Sequence, residues 1–72
     1  MTNNISSSLI ELNTFVKLKG FASTGGQAKR LIRSGAVMVN EEVETRNKKK
    51  LYQGDSVVIE GKDFIVSKDE LY

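Results

Sequence analysis

The sequence predicts an α+β fold: two packed helices followed by a small, mostly antiparallel sheet. Three observations carry this. Apolar residues recur at helical spacing between residues 9 and 33. From residue 36 onward the spacing changes to alternation. Glycines fall at the joints of both regions. With 72 residues, the chain can form one domain with a limited core. Residues 1–8 are polar and aperiodic and read as a flexible N-terminal tail. Residues 9–72 read as the single domain.

The first helix is expected from about Leu9 or Glu11 to Leu18, with Leu12, Phe15 and Val16 on one face and Leu18 near it. Gly20 ends it. Phe21 and Ala22 form a short apolar link, so the two helices pack against each other. Thr24 suits an N-cap, because its hydroxyl can accept from a free amide of the first turn. Ala28, Leu31 and Ile32 supply the apolar side of the second helix, and Lys29, Arg30 and Arg33 its basic side. Gly35 stands where a left-handed residue stops a helix.

Residues 36–39 alternate around Val37 and Val39 as a half-buried strand. Asn40 and Glu41 form a tight turn into a second strand over residues 42–44, although Asn-Gly is the favoured pair at such a turn. Residues 45–50 make a polar, basic loop, after which Leu51 and Tyr52 re-enter the core. Residues 53–55 turn, and 56–60 form a strand around Val57 and Ile59. Residues 61–63 turn again, and 64–66 pair back. Phe15, Phe21 and Phe64 belong to apolar patterns and are assigned to the core, whereas Tyr52 follows the basic run and could reach a base, but is read first as a half-buried anchor.

Composition removes several chemistries. There is no cysteine and no histidine. That excludes disulfides, ordinary zinc sites, and Cys–His or Ser–His–Asp catalysis. No apolar run spans a bilayer, and the N-terminus has neither a positive start nor an apolar stretch like that of a signal peptide. A cytoplasmic protein with no cofactor is expected. The net charge is only +2, but residues 17–50 carry nine Lys and Arg against three Glu, a local +6. The residues before sum to −1 and those after to −3. This distribution suggests one anion-facing side, or else an ordinary solvated surface. The carboxylates Glu41, Glu42 and Glu44 crowd one hairpin without metal-ligand spacing, so no enzyme is expected.

Several separated motifs resemble one family. Gln27-Ala28-Lys29-Arg30-Leu31-Ile32, Gly35, Val37-Met38-Val39-Asn40 and Gly54-Asp55-Ser56-Val57 look like the S-four domain. This is the alpha-L RNA-binding fold of ribosomal small-subunit protein four. The likeness covers roughly residues 12–59. Lys17-Leu18, Ser23-Thr24-Gly25-Gly26 and Asn47-Lys48-Lys49-Lys50-Leu51-Tyr52 look most like its small stand-alone, ribosome-associated bacterial members. Two positions depart from the pattern. Gly25 and Gly26 stand where many members carry arginine after the cap, and Glu41 stands where many carry glycine.

The resemblance implies a non-catalytic domain that binds structured RNA, rRNA or tRNA, on the ribosome or a ribosomal subunit. The expected RNA-binding residues form three groups. Thr24, Gly25, Gly26 and Gln27 open a helix whose free amides can cradle phosphate, unless the two glycines serve only close helix packing. Lys29, Arg30 and Arg33 can meet one backbone. Arg46, Asn47, Lys48, Lys49 and Lys50 can track phosphates and 2′-hydroxyls, unless the loop is merely flexible and solvated or a gatekeeper that keeps strand edges from pairing. With few stacking candidates, shape and backbone recognition of folded RNA is expected. A role in ribosome assembly or association comes first. Contact with tRNA or peptidyl-tRNA in ribosome quality control is one alternative. Another is a protein-interaction adaptor built on Asp55, Glu60, Asp63, Asp69 and Glu70. A monomer without membrane contact is expected.

Overall fold

The computed structural model describes residues 9–71, so the predicted tail at 1–8 lies outside the described residues. The chain runs β1 (Ile10–Glu11), α1 (Leu12–Leu18), α2 (Gly25–Arg33), β2 (Val37–Val39), β3 (Glu42–Val43), β4 (Lys50–Leu51), β5 (Ser56–Ile59) and β6 (Lys62–Ile65), and ends in a 3-10 turn (Lys68–Glu70). Strands β3, β2, β5 and β6 form one antiparallel sheet in that order, while β1 and β4 pair separately. The two helices and the sheet enclose a single apolar cluster. The α+β architecture therefore follows the sequence pattern.

Strand alternation sets what each face of the sheet buries. Val37 and Val39 on β2 and Val57 and Ile59 on β5 all point into the core, where Phe15, Val16, Ala28 and Ile32 meet them. Each fully buried aliphatic or aromatic side chain of this kind contributes about 1.5–3 kcal/mol relative to leaving it exposed. Because Met38 pairs with Val43 and with Val58, these three share the opposite face. Ile65 joins them through its pairing with Ser56.

Two hairpins turn on two residues each. Asn40 and Glu41 both adopt positive φ, 50° and 71°, as a type I′ turn requires. Asn40 also bonds across to β5. Its amide N–H donates to the Ser56 carbonyl at 2.8 Å, and its Oδ1 accepts from the Ser56 N–H at 3.0 Å. The second turn is Glu60–Gly61, with φ of 49° and 83°. Pairing therefore resumes at Lys62, opposite Ile59, and the three-residue turn expected at 61–63 is corrected. A glutamate tolerating left-handed geometry left no signal in the sequence.

A second difference lies at the termini of the elements. Ile10 pairs with Leu51, and Glu11 with Lys50. Two-residue strands are too short for alternation to reveal. Leu51 is buried as expected, but Tyr52 is 47% exposed and does not enter the core. Leu18 also turns outward, and Phe21 and Phe64 are half-buried at the core's edge.

The C-terminal turn is tied to α1 through Lys19. Its ammonium pairs with the Glu70 carboxylate and lies 5.3 Å from the ring centroids of both Phe15 and Phe64. Phe64 meets Phe15 and Phe21 edge-on, at 6.2 and 5.9 Å between centroids. Partial burial pushes the Glu70 carboxyl up, but the hydrogen bond from Lys19, the Ser67 N–H and the Lys19 charge together hold it below its ordinary value of 4.5.

Two predictions follow from these contacts. Replacing Glu41 with glycine relieves a left-handed side chain and should raise stability by about 0.5–1 kcal/mol, read as a melting point a few degrees higher. The depressed Glu70 carboxyl binds fewer protons folded than unfolded, so its stabilisation is present above the ordinary value of 4.5 and is lost as pH falls below it. Acid denaturation of Glu70→Gln should therefore show a shallower loss of stability below that pH than the parent protein.

Candidate nucleic-acid interface

The second helix is opened by a side-chain cap. The Gln27 N–H donates to Thr24 Oγ1 at 3.1 Å. In return, Gln27 Oε1 accepts from the Ser23 N–H at 2.8 Å and from the Ser23 hydroxyl at 3.0 Å. This is a variant of the reciprocal capping box, displaced by one residue. Thr24 and the carbonyl end of Gln27 are thus engaged in holding the helix. The Gly25 and Gly26 amides precede the first intrahelical bond, from the Ala28 N–H to the Thr24 carbonyl.

Space around the two glycines bears on the close-packing reading. A Cβ at Gly25 would meet nothing within 4 Å, and one at Gly26 only Thr24 Oγ1 at 3.9 Å. Neither glycine abuts α1, so close helix packing is not what they serve. They leave an open helix end.

Beyond the cap, Ala28 and Ile32 are buried, Leu31 is half-buried, and Lys29, Arg30 and Arg33 are exposed. At 100° per residue, Lys29, Arg33 and Arg30 follow one another over an arc of about 100° opposite the buried stripe. Of the three, Arg30 lines a shallow cleft of about 440 Å³ with Phe21, Gln27, Leu31 and Ser34.

The loop at residues 45–50 is built differently from the solvated segment that its polarity suggests. The first amides of α1 have no side-chain cap from Glu11. They are satisfied by the loop backbone. The Leu12 N–H donates to the Lys49 carbonyl at 2.8 Å, and the Asn13 N–H to the Asn47 carbonyl at 3.1 Å. The Thr14 N–H donates to Asn13 Oδ1 at 2.8 Å. With β4 paired to β1, the loop is fastened at both ends. The exposed side chains of Arg46, Lys48 and Lys50 and the half-buried one of Lys49 then leave a fixed backbone.

Arg46, Lys48, Lys49, Lys50 and Tyr52 together line an open cleft of about 400 Å³. Arg46 is partly committed. Its Nε donates to Glu44 Oε2 at 2.9 Å, and Nη2 to Glu44 Oε1 at 3.2 Å. That hydrogen-bonded contact holds the Glu44 carboxyl below its ordinary value and raises Arg46. The pair is solvent-screened and shapes the cleft wall more than it stabilises the fold. Asn47 does not line the cleft. Its Oδ1 is buried without a hydrogen-bond partner among the described residues.

Of the predicted set, Gln27 and Arg30 line one cleft and Arg46, Lys48, Lys49 and Lys50 the other, and no residue lines both. Thr24, Gly25, Gly26, Lys29, Arg33 and Asn47 line neither. Tyr52, assigned to the core, joins the loop cleft. The signal for its exposure was the alternation Lys50 out, Leu51 in, Tyr52 out. Of the five acidic residues in the adaptor reading, Glu70 is paired with Lys19. Asp55 accepts from the Tyr52 N–H at 2.9 Å and from Asn40 Nδ2 at 3.3 Å. Only Glu60, Asp63 and Asp69 remain as exposed carboxylates of that set. Among the described residues, no helix is long and apolar enough to cross a membrane.

This pairing of a capped basic helix with a loop-and-sheet unit has counterparts. The family model described as the S4 domain matches residues 3–67, and the chain belongs to that family. It is 41% identical over 58 residues to "Probable ribosome maturation protein RlbA" of Bacillus subtilis, covering 81% of this chain and 82% of the relative. It is 40% identical over 52 residues to "Putative RNA-binding protein YbcJ" of Escherichia coli, covering 72% and 74%.

Because Gly26 is helical and faces open space, Gly26→Ala should stabilise the protein by about 0.5 kcal/mol. Thermal or urea unfolding checks this. A loss of stability would mean that the glycine does serve close packing.

Proposed function

We propose that this protein is a non-catalytic RNA-binding module that recognises structured RNA, with ribosomal RNA as its target during ribosome assembly or association. The observation that carries this reading is the loop cleft. Lys48, Lys49 and Lys50 project from a backbone that is pinned to α1, so little backbone entropy is lost when a polyanion docks. The names of the two relatives, one for ribosome maturation and one for RNA binding, point the same way. The open N-terminus of α2 adds the Gly25 and Gly26 amides, with the Thr24 and Gln27 side chains holding them in place. Lys29, Arg30 and Arg33 supply further phosphate contacts, and Arg46 and Asn47 shape the loop. Recognition is of backbone and shape, by a single copy of the chain in the cytoplasm.

The adaptor reading is weaker, since Asp55 and Glu70 are occupied within the fold. Contact with tRNA or peptidyl-tRNA would use the same cations, and no feature of the geometry favours it over ribosomal RNA.

Reversal of Lys48, Lys49 and Lys50 to glutamate tests the proposal. Affinity for purified ribosomal RNA should fall by about two orders of magnitude or more, with the melting point little changed. In the parent protein, log affinity should decline with log salt at a slope of roughly −3 to −5, as expected for about four to six neutralised phosphates. Unchanged binding by the reversed variant, or a flat salt response, would reject the RNA reading.

A further inference from the structure

We infer that the loop cleft takes a single unpaired nucleotide of the bound RNA, its phosphate among Lys48, Lys49 and Lys50 and its base stacked on the Tyr52 ring. This deepens the RNA-binding reading and rests on it. Four cations and one aromatic ring line the cleft. Its volume of about 400 Å³ falls within the roughly 300–1,000 Å³ typical of small-ligand sites.

The position of Tyr52 is what distinguishes this cleft from a plain basic patch. Leu51 fills the core beside Ile10, so the next side chain must leave it. Lys50 and Tyr52 thus emerge on the same side of the strand. Tyr52 is also held by its own backbone. Its N–H donates to Asp55 Oδ2 at 2.9 Å, and its carbonyl accepts from the Asp55 N–H at 3.0 Å. A tyrosine with 47% exposure on a fixed backbone offers a preformed ring face at little entropic cost.

The chemistry around the ring selects the ligand. Protein interfaces are enriched in tyrosine but depleted in lysine at their cores, whereas this ring stands among three lysines and an arginine. An aromatic platform inside a cationic groove suits a nucleotide, whose base is flat and whose phosphate is anionic. Bases within an A-form helix have both faces covered by their neighbours, so only an unpaired one can reach the ring. Arg46, oriented by Glu44, closes the wall beside it. Of the two readings the sequence left for Tyr52, half-buried anchor or contact with a base, its 47% exposure favours the second.

The test uses the full chain and two probes: a two-stranded RNA duplex with one bulged nucleotide, and the same blunt duplex fully paired. The parent protein should bind the bulged duplex more tightly by roughly 5- to 150-fold, the range that one base–aromatic stack supplies. Tyr52→Phe should keep this preference. Tyr52→Ala should abolish it while leaving affinity for the paired duplex and the salt slope unchanged, because no charge is removed. Equal binding of the two duplexes by the parent protein, including no binding to either, overturns the inference. So does a preference that survives Tyr52→Ala, or a Tyr52→Ala variant that weakens both duplexes alike. If the parent protein still binds ribosomal RNA in the salt-dependent manner described above, such a result removes the stacking step alone.

Discussion

The free amides at the start of α1 set the terms for the rest of the molecule. A helix of seven residues, Leu12–Leu18, is too short to persist alone in water. An unmet buried donor would cost about 1–3 kcal/mol. No side chain of Glu11 meets the need. The carbonyls of Lys49 and Asn47 do so instead, which converts a lysine-rich segment into a fixed part of the fold. The core residues of α1, Leu12, Phe15 and Val16, are positioned by the same contacts. Helix stability and the orientation of the basic side chains are thus one problem with one solution.

Charge in the sequence and charge available to a ligand are different quantities here. Residues 17–50 carry a net +6, but Lys19 is bound by Glu70 and lies over two aromatic rings. Arg46 is held by Glu44. Of the remaining cations, Lys17 lies on α1, Lys29, Arg30 and Arg33 on α2, and Lys48, Lys49 and Lys50 at the loop cleft. The two helix starts differ in the same spirit. The end of α1 is closed by backbone carbonyls, whereas that of α2 keeps two glycine amides before its first intrahelical bond. A basic segment therefore contains internal fasteners as well as outward-facing groups, and only the contacts separate them.

Much of the architecture was legible because local chemistry and global packing agree. Thr24 caps α2, Gly35 with φ of 89° ends the helical region, and Val37, Val39, Val57 and Ile59 alternate into the core. What was hidden has definite physical reasons. Strands β1 and β4 are two residues long, below the length at which alternation is visible. Glu41 and Glu60 occupy left-handed geometry that a propensity reading reserves for glycine or asparagine. The candidate site was legible as a list of cations but not as an arrangement. Asn47 turned out to serve the α1 cap through its backbone, and Tyr52 left the core because Leu51 had filled it. Sequence order gives no view of such competition between neighbours for one buried position.

The pairing of Ile10 with Leu51 spans most of the chain, and this has a bearing on how the protein comes into being. During synthesis from the N-terminus, the residues of α1 emerge well before the carbonyls that will complete its first turn. A helix so brief has little reason to form early, and its closure must wait for a contact of large sequence separation. The lysine-bearing surface therefore depends on a contact between residues far apart in the chain. A chain halted before residue 51 would carry most of the positive charges of the finished protein without the geometry that presents them.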